Sequence, residues 1–380
     1  MKSDSDTLVS ITKVEKNIES AVKNAINQVG GMNSVVRAGD KIYLKPNFVA
    51  PRHSSTGTTT DLEVIRVVAE EVRRCGGTPL LYETPAIEFA QKTVYDFLGV
   101  YEFAKRNNIE LVDSTSNLIS VPVPNGIVFK KVTIPQILRH AKIINLPKLK
   151  THVNTKMTCG LKNLIGFLPD SEKRRMHIRG VDATVADLSK VFRPILTVVD
   201  AIACQQGDGP AYGDKIDVGL IVAGKKMVAV DKICSQIIGL PWDEVKYLRL
   251  LDGQVSQSKI GLAGTPIEEI TLPFNIPVKS SFYQFSTRMI HALDIIFSKM
   301  FSQHLNEFLY STGYFGTNPK ILRDSCDRCG HCLEVCPVED AMDLDTYRVD
   351  YKNCIRCLDC YFACDKNAIA VKGLSRPDTH

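Results

Sequence analysis

CDRCGHCLEVCP (326–337) and CIRCLDCYFACD (354–365) are two copies of one pattern, C-x2-C-x2-C-x3-C. The spacing suits iron–sulfur chemistry. Three thiolates on one tight loop can face three irons of a cubane, while the fourth cysteine points away to a second cluster. On that rule Cys326, Cys329, Cys332 and Cys364 hold one [4Fe-4S] cluster, and Cys354, Cys357, Cys360 and Cys336 hold the other. The halves are cross-stapled, so neither closes its cluster alone and the segment folds around its metal. Zinc ribbons and disulfides are the alternatives. Zinc sites pair two C-x2-C knuckles across a longer spacer, and a third cysteine per run is surplus to tetrahedral ligation.

The segment resembles the two-cluster bacterial-type ferredoxins, including the apolar runs Ala341-Met342 and Ala368-Ile369-Ala370-Val371 behind each motif. That resemblance implies a small α+β domain and electron transport. Two residues depart from the pattern: Asp365 replaces the proline seen at Pro337, and Leu358 stands where the first motif has Gly330. Neither removes a ligand.

A chain of 380 residues, 44% hydrophobic, is long enough for two or three domains with a sizeable core. We expect an α/β body over 1–275, an amphipathic helical linker over 276–318 and the cluster domain over 319–380. Residues 1–17 have polar residues throughout and lack the apolar run of a secretory signal. The greasiest region, 282–310, is interrupted by Arg288, Asp294 and Lys299, too broken to span a bilayer. A reducing, cytoplasmic setting follows and suits the cysteine usage. Net charge is +5, but residues 326–366 hold nine acids against five bases. An acidic cluster segment on a basic body points to an anionic ligand for the body.

The body reads as a layered, mostly parallel α/β sheet. A strand over 41–45 precedes a Ser/Thr-rich loop (48–60) carrying Arg52 and His53. Asp61 then caps a helix to about Arg74, apolar at Leu62, Ile65, Val68, Ala69 and Val72, and Gly76-Gly77 stops it. A strand over 78–83, a helix over 93–107 and a strand over 110–113 complete a βαβαβ rhythm. Ligands of such sheets sit at the carboxyl ends of the strands, where the loop 48–60 falls. Its alternative is a plain hydrophilic loop.

KIINLPKLKTHVNTKMTCGLKNLIGFLPD (142–170) is the second informative stretch. A strand at 143–146 feeds Lys148, Lys150 and His152 toward a helix capped by Asn154 or Thr155 and bearing Lys156 and Lys162, an anion-site arrangement. The alternative is a solvated basic face. No Walker A or GxGxxG pattern is present. KPN (45–47), LPKLKTH (146–152), LKNLIG (161–166) and VVDAIACQQGDGP (198–210) together resemble the domain-of-unknown-function 362 family, over roughly 41–240. The resemblance implies the fold and the place of a site, and names no substrate.

Asp200 ends a strand from about 195, and Asp208 lies in a Gly-rich turn; either binds a ligand or shapes the turn. A strand over 218–223 and a helix over 230–239 opened by Asp231 continue the rhythm. Cys75 and Cys234 read as small buried hydrophobes. Cys159 is expected to have its pKa depressed by Lys156, Lys162 and His152, against the alternative of a core cysteine. Phe282, Phe285, Met289, Leu293, Ile296 and Met300 recur at helical spacing, for docking the cluster domain on the body or, alternatively, for a membrane surface. The basic run 173–179 lacks interleaved aromatics, so no nucleic acid is expected.

The functional expectation is an iron–sulfur oxidoreductase. It passes electrons between a redox protein and an anionic small molecule, with Lys148, His152 and Cys159 as reacting groups and Lys45, Asn47, Lys150, Lys156, Lys162, Asn163, Asp200 and Asp208 as ligand contacts. A non-enzymatic ferredoxin-type carrier docking a protein partner, or a redox sensor, are the alternatives.

Overall fold

The computed structural model describes residues 7–113, 117–277 and 318–371, together with Met289, Ile290, Ala292, Leu293, Asp294, Ile296, Phe297 and Leu305. The body begins β1 (Leu8–Lys13), α1 (Ile18–Gln28), β2 (Lys41–Lys45), α2 (Leu62–Arg74), β3 (Thr78–Leu81), α3 (Gln91–Phe97), α4 (Val100–Arg106) and β4 (Glu110–Leu111). A hairpin of β5 (Leu118–Pro122) and β6 (Lys131–Pro135) follows, then β7 (Lys142–Asn145), β8 (Lys148–His152) and β9 (Lys156–Thr158). The helices α5 (Gly160–Asn163), α6 (Asp170–Arg179) and α7 (Val181–Val191) lead to β10 (Leu196–Gln206), β11 (Asp214–Gly224), α8 (Met227–Ile237), α9 (Lys246–Leu250) and β12 (Gly261–Gly264).

Ten strands form one mixed sheet with the path β12-β1-β11-β10-β7-β2-β3-β4. From β10 to β4 every neighbour is parallel, whereas β11 runs antiparallel to both β10 and β1. The long β10 pairs first with β7 and then, past Pro147, with β8, where Asp200 lies opposite Lys148. Both faces of the sheet are covered, which is why its strands read as nearly continuous apolar runs. Ile42 and Leu44 pack with Val64, Ile65, Val68 and Val72, while Tyr43 between them packs with Phe167, Leu188 and Phe192, the two-residue alternation of a strand.

Helix α2 starts where its sequence says it should. The Asp61 carboxylate accepts the Glu63 N–H at 2.8 Å, and the chain leaves the helix through Gly76 at φ +78°. Elsewhere the fold corrects the sequence reading. The helix expected over 93–107 is two helices, divided at Gly99 with φ +66°. The helix expected from Asn154 or Thr155 is instead the antiparallel hairpin β8–β9, because every residue of β8 is buried between β9 and β10 and that pairing outweighs local helix propensity. Asp231 does not open α8, which begins at Met227; its carboxylate instead accepts the Gly160 and Leu161 N–H groups of α5.

The C-terminal segment is built from short pieces: β13 (Pro319–Ile321), α10 (His331–Glu334), β14 (Met342–Asp343), β15 (Arg348–Val349), α11 (Asp359–Phe362) and β16 (Ile369–Val371). β13 pairs with β16 and β14 with β15, both antiparallel. The two motifs enter α10 and α11 through left-handed residues, Gly330 at φ +85° and Leu358 at φ +63°. Leucine is strained by about 1–2 kcal/mol in that conformation. Here its side chain is 1% exposed, so burial offsets the strain and accounts for the departure from glycine.

Most of the expected 282–301 helix lies outside the described residues. Among those described, Asp294 is buried and accepts from Arg174 Nε at 2.8 Å, tying the segment to α6. Of the expected apolar stripe, Met289, Leu293 and Ile296 are described, and all three are exposed. No helix among the described residues is long and apolar enough to cross a membrane.

Candidate functional site

The eight motif cysteines divide between two hollows. One is lined by Cys336, Cys354, Cys357 and Cys360, the other by Cys326, Cys329, Cys332 and Cys364. This partition crosses the sequence order, bringing Cys364 to the first run and Cys336 to the second. No disulfide joins any of the twelve cysteines. Among the described residues no three His, Cys, Asp or Glu side chains are grouped to hold a single metal ion. Four thiolates that each meet a different iron of a cubane need not converge on one point. The donor set and the apolar rims, Met342, Ile355 and Leu358 on one side and Leu344 and Ile369 on the other, fit such clusters. Burial pushes the Cys357 thiol up to about 12 as a free acid, so the apolar surroundings favour a thiolate only with a cation present.

In the body, the strand ends bring lysines inside. Lys45 pairs with Glu83, an acid that sequence reasoning missed; burial draws the Lys45 ammonium down and pushes the Glu83 carboxyl up, against their mutual attraction. Gly166 lies against this pair, and a Cβ there would come within 2.5 Å of Lys45 Nζ. Lys148 donates to Asp200 at 2.8 Å, and both are buried. Asp200 also accepts the Asp61 and Ile202 N–H groups, so it anchors the cap of α2.

Lys150 differs. It is fully buried, and its partners are neutral oxygens, Asn47 Oδ1 at 3.1 Å and the Thr58 carbonyl. Burial first, then the positive Lys162 and Lys148, hold its pKa well below the usual lysine range. Lys162 makes no ion pair among the described residues, and burial lowers it to about 8. Asn47 continues the network: its Nδ2 donates to Asn163, whose Nδ2 donates to Asn145, whose Nδ2 donates to the Gly160 carbonyl. The amides of Asn47 and Asn163 are therefore engaged within the protein, fixing the floor beneath Lys150.

The other expected residues scatter. Lys156, with φ +64°, turns outward to pair with Glu244 at 2.7 Å. The His152 Nδ1 accepts the Asn154 N–H and shapes the hairpin turn. Asp208 is exposed on its turn. Cys159 lies in the apolar core beside Cys234 and Asp231, and burial pushes its thiol well up, opposite to the expected depression. The reason is that Lys156 points away and the nearest ionisable groups are acids. The hydroxyls of Thr59 and Thr60 are engaged within the protein: Thr59 donates to the Arg52 carbonyl of its own loop, and Thr60 to the Leu146 carbonyl that follows β7. Gly57 lets this loop close on β10, for a Cβ there would stand 2.1 Å from the Cys204 carbonyl oxygen.

The family described as "Domain of unknown function (DUF362)" matches residues 42–236, half of the chain. The chain belongs to the DUF362 family. Behind the DUF362 body, a 4Fe-4S dicluster domain matches residues 318–369, which makes this an iron–sulfur protein. A thylakoid-associated protein of Synechocystis is 28% identical over 265 residues, 68% of this chain and 79% of that protein. The lactate racemase apoprotein of Thermoanaerobacterium thermosaccharolyticum is similar at 13% identity and a TM-score of 0.41, over 63% of this chain. The match spans 60% of that enzyme's length, and so slight a likeness carries no argument about chemistry.

Within the DUF362 body, KPN and LKNLIG are explained by contact: Lys45 meets Glu83, Asn47 meets Asn163, and Gly166 leaves room for the ion pair. Glu83 and Asn145 went unread because their roles arise between segments distant in the chain. The one available signal was an acid at the carboxyl end of the strand 78–83.

Proposed function

We propose that this protein carries two [4Fe-4S] clusters, one in each cysteine-lined hollow, and moves electrons from a redox protein to an anionic small molecule held in the body. A reducing compartment such as the cytoplasm suits this role. One observation carries the anion reading: Lys150 is fully buried against neutral oxygens, with Lys148, Lys162 and Arg52 as positive neighbours. Uncompensated positive charge in the interior is costly, and a bound anion relieves that cost. When bound, each cluster supplies one electron received from the redox protein.

The chain's own residues divide the work. Lys150 and Lys162 bind the anion. Lys162, at about 8, can release a proton to the product near neutrality. Lys45, Lys148, Asn47 and Asn163 hold the binding groups in place through their internal partners. Cys329 is exposed, and Leu333 and Val335 of the same motif are exposed too, which supports docking of the redox protein on the first motif. This apolar patch also favours the second reading, a carrier that gives its electrons to another protein.

The test is anaerobic: reduce the protein, then add small carboxylates and phosphate esters in turn and follow reoxidation in visible absorption. The anion reading expects reoxidation by one class, lost in Lys150→Met while the iron content stays full. Reoxidation by a purified ferredoxin-type acceptor alone, unchanged in Lys150→Met, overturns it in favour of the carrier.

A further inference from the structure

Arg52 is 1% exposed, and none of its three guanidinium nitrogens has a hydrogen-bond partner among the described residues. Five N–H donors of a permanently charged group are thus left orphaned in the interior, an arrangement that persists only when something absorbs them. Its surroundings come from both halves of the molecule. Arg52 Cζ lies 5.0 Å from the Tyr212 ring and 5.5 Å from the ring of Phe362, the last residue of α11, which also carries Cys360. Cys357, Asp359 and Cys360 all act on the guanidinium electrostatically. The backbone beneath is fixed, since the Arg52 N–H donates to the Ala50 carbonyl at 2.8 Å and its carbonyl accepts the Thr59 hydroxyl at 2.7 Å.

We propose that Arg52 donates its orphaned N–H groups to the sulfurs of the cluster held by Cys336, Cys354, Cys357 and Cys360, and so raises the reduction potential of that cluster. Reduction adds negative charge, and a cation with N–H donors stabilises the reduced state more than the oxidised one. Arg356, which lines the same hollow, has its guanidinium engaged by Asn318 and by the Cys354 and Tyr351 carbonyls. Beside the other hollow, Arg328 and Lys366 are more than half exposed and lie near Asp345 and Asp327. The body therefore supplies a cation to one cluster of the two, and that asymmetry draws the electron toward the body. The inference rests on the clusters and not on the anion, and its test uses no ligand.

The experiment is a potentiometric titration of the loaded full-length protein, followed by electron paramagnetic resonance, for wild type, Arg52→Gln and Arg52→Lys. In Arg52→Gln one of the two potentials should fall, so that the reduced-to-oxidised ratio of that cluster at fixed potential drops at least tenfold, about 59 mV for one electron. The other potential should move far less. Arg52→Lys keeps the charge and loses the fork, so the same potential should fall by a smaller amount; this variant decides the matter if Arg52→Gln fails to load iron. Two unchanged potentials in a fully loaded variant, or two that shift equally, overturn the proposal.

Discussion

The DUF362 body and the cysteine-rich segment both draw polar groups inside, but they satisfy them differently. In the body, buried charges meet protein partners over a deep core: Lys45 meets Glu83, Lys148 meets Asp200, Lys232 meets Asp252, and Asp231 receives two backbone N–H groups. In the C-terminal segment the core is thin, and Cys332, Cys360 and Cys364 are themselves members of it. The lesson is that the body is held by its own contacts, whereas the segment is held by what its thiols bind. Lys150 and Arg52 are places where the body resembles the segment, buried cations that form no ion pair among the described residues.

The largest effect expected from this contrast is a split response to iron removal. Anaerobic chelation should abolish amide-exchange protection across 318–371 while the strands of the large sheet stay protected, as read by hydrogen-exchange mass spectrometry. Full protection of the segment without iron would erase the distinction. Next comes Lys148→Met, which leaves Asp200 buried without its cation and should cost the body about 3–5 kcal/mol in denaturant unfolding. Iron content should not change; a loss below 1 kcal/mol would show that Asp200 is content with its backbone donors. Smaller again is Gly57→Ala, whose Cβ meets the Cys204 carbonyl in a left-handed residue. A destabilisation of about 1–3 kcal/mol is expected by the same unfolding assay.

The smallest is a pH effect at Lys162. Its folded pKa is lowered to about 8, so between pH 8 and the ordinary lysine range the folded chain binds fewer protons than the unfolded one. Its unfavourable contribution to stability is therefore fully present below pH 8 and fades as pH rises beyond it. Anion affinity should follow the charge and weaken as pH rises through about 8, measured by calorimetry, with that step missing in Lys162→Met. An identical pH profile in the variant would remove Lys162 from the site.

Much of this was legible in the residues. The β2 strand, the Asp61 cap, the Gly76 stop and the grouping of the eight cysteines follow from spacing and local chemistry. The 154–158 stretch was not, because β9 is held by pairing with β8, and β8 is in turn set by pairing with β10, some fifty residues away in the chain. Cys159 misled for a related reason: its sequence neighbour Lys156 turns outward to Glu244, and the groups it meets, Asp231 and Cys234, come from α8. Arg52 stood out only as a charge in a polar loop. Its isolation becomes visible once the body and the cluster segment are seen packed together.

The most direct test of the central claim, that two iron–sulfur clusters sit against this body, is the iron and acid-labile sulfide content of anaerobically purified protein, read with the low-temperature spin resonance of its reduced form. The account predicts about eight of each per chain, the content of two cubanes, and a spectrum broadened by coupling between neighbouring centres. About four of each with one isolated spin, or zinc in place of iron, would contradict it.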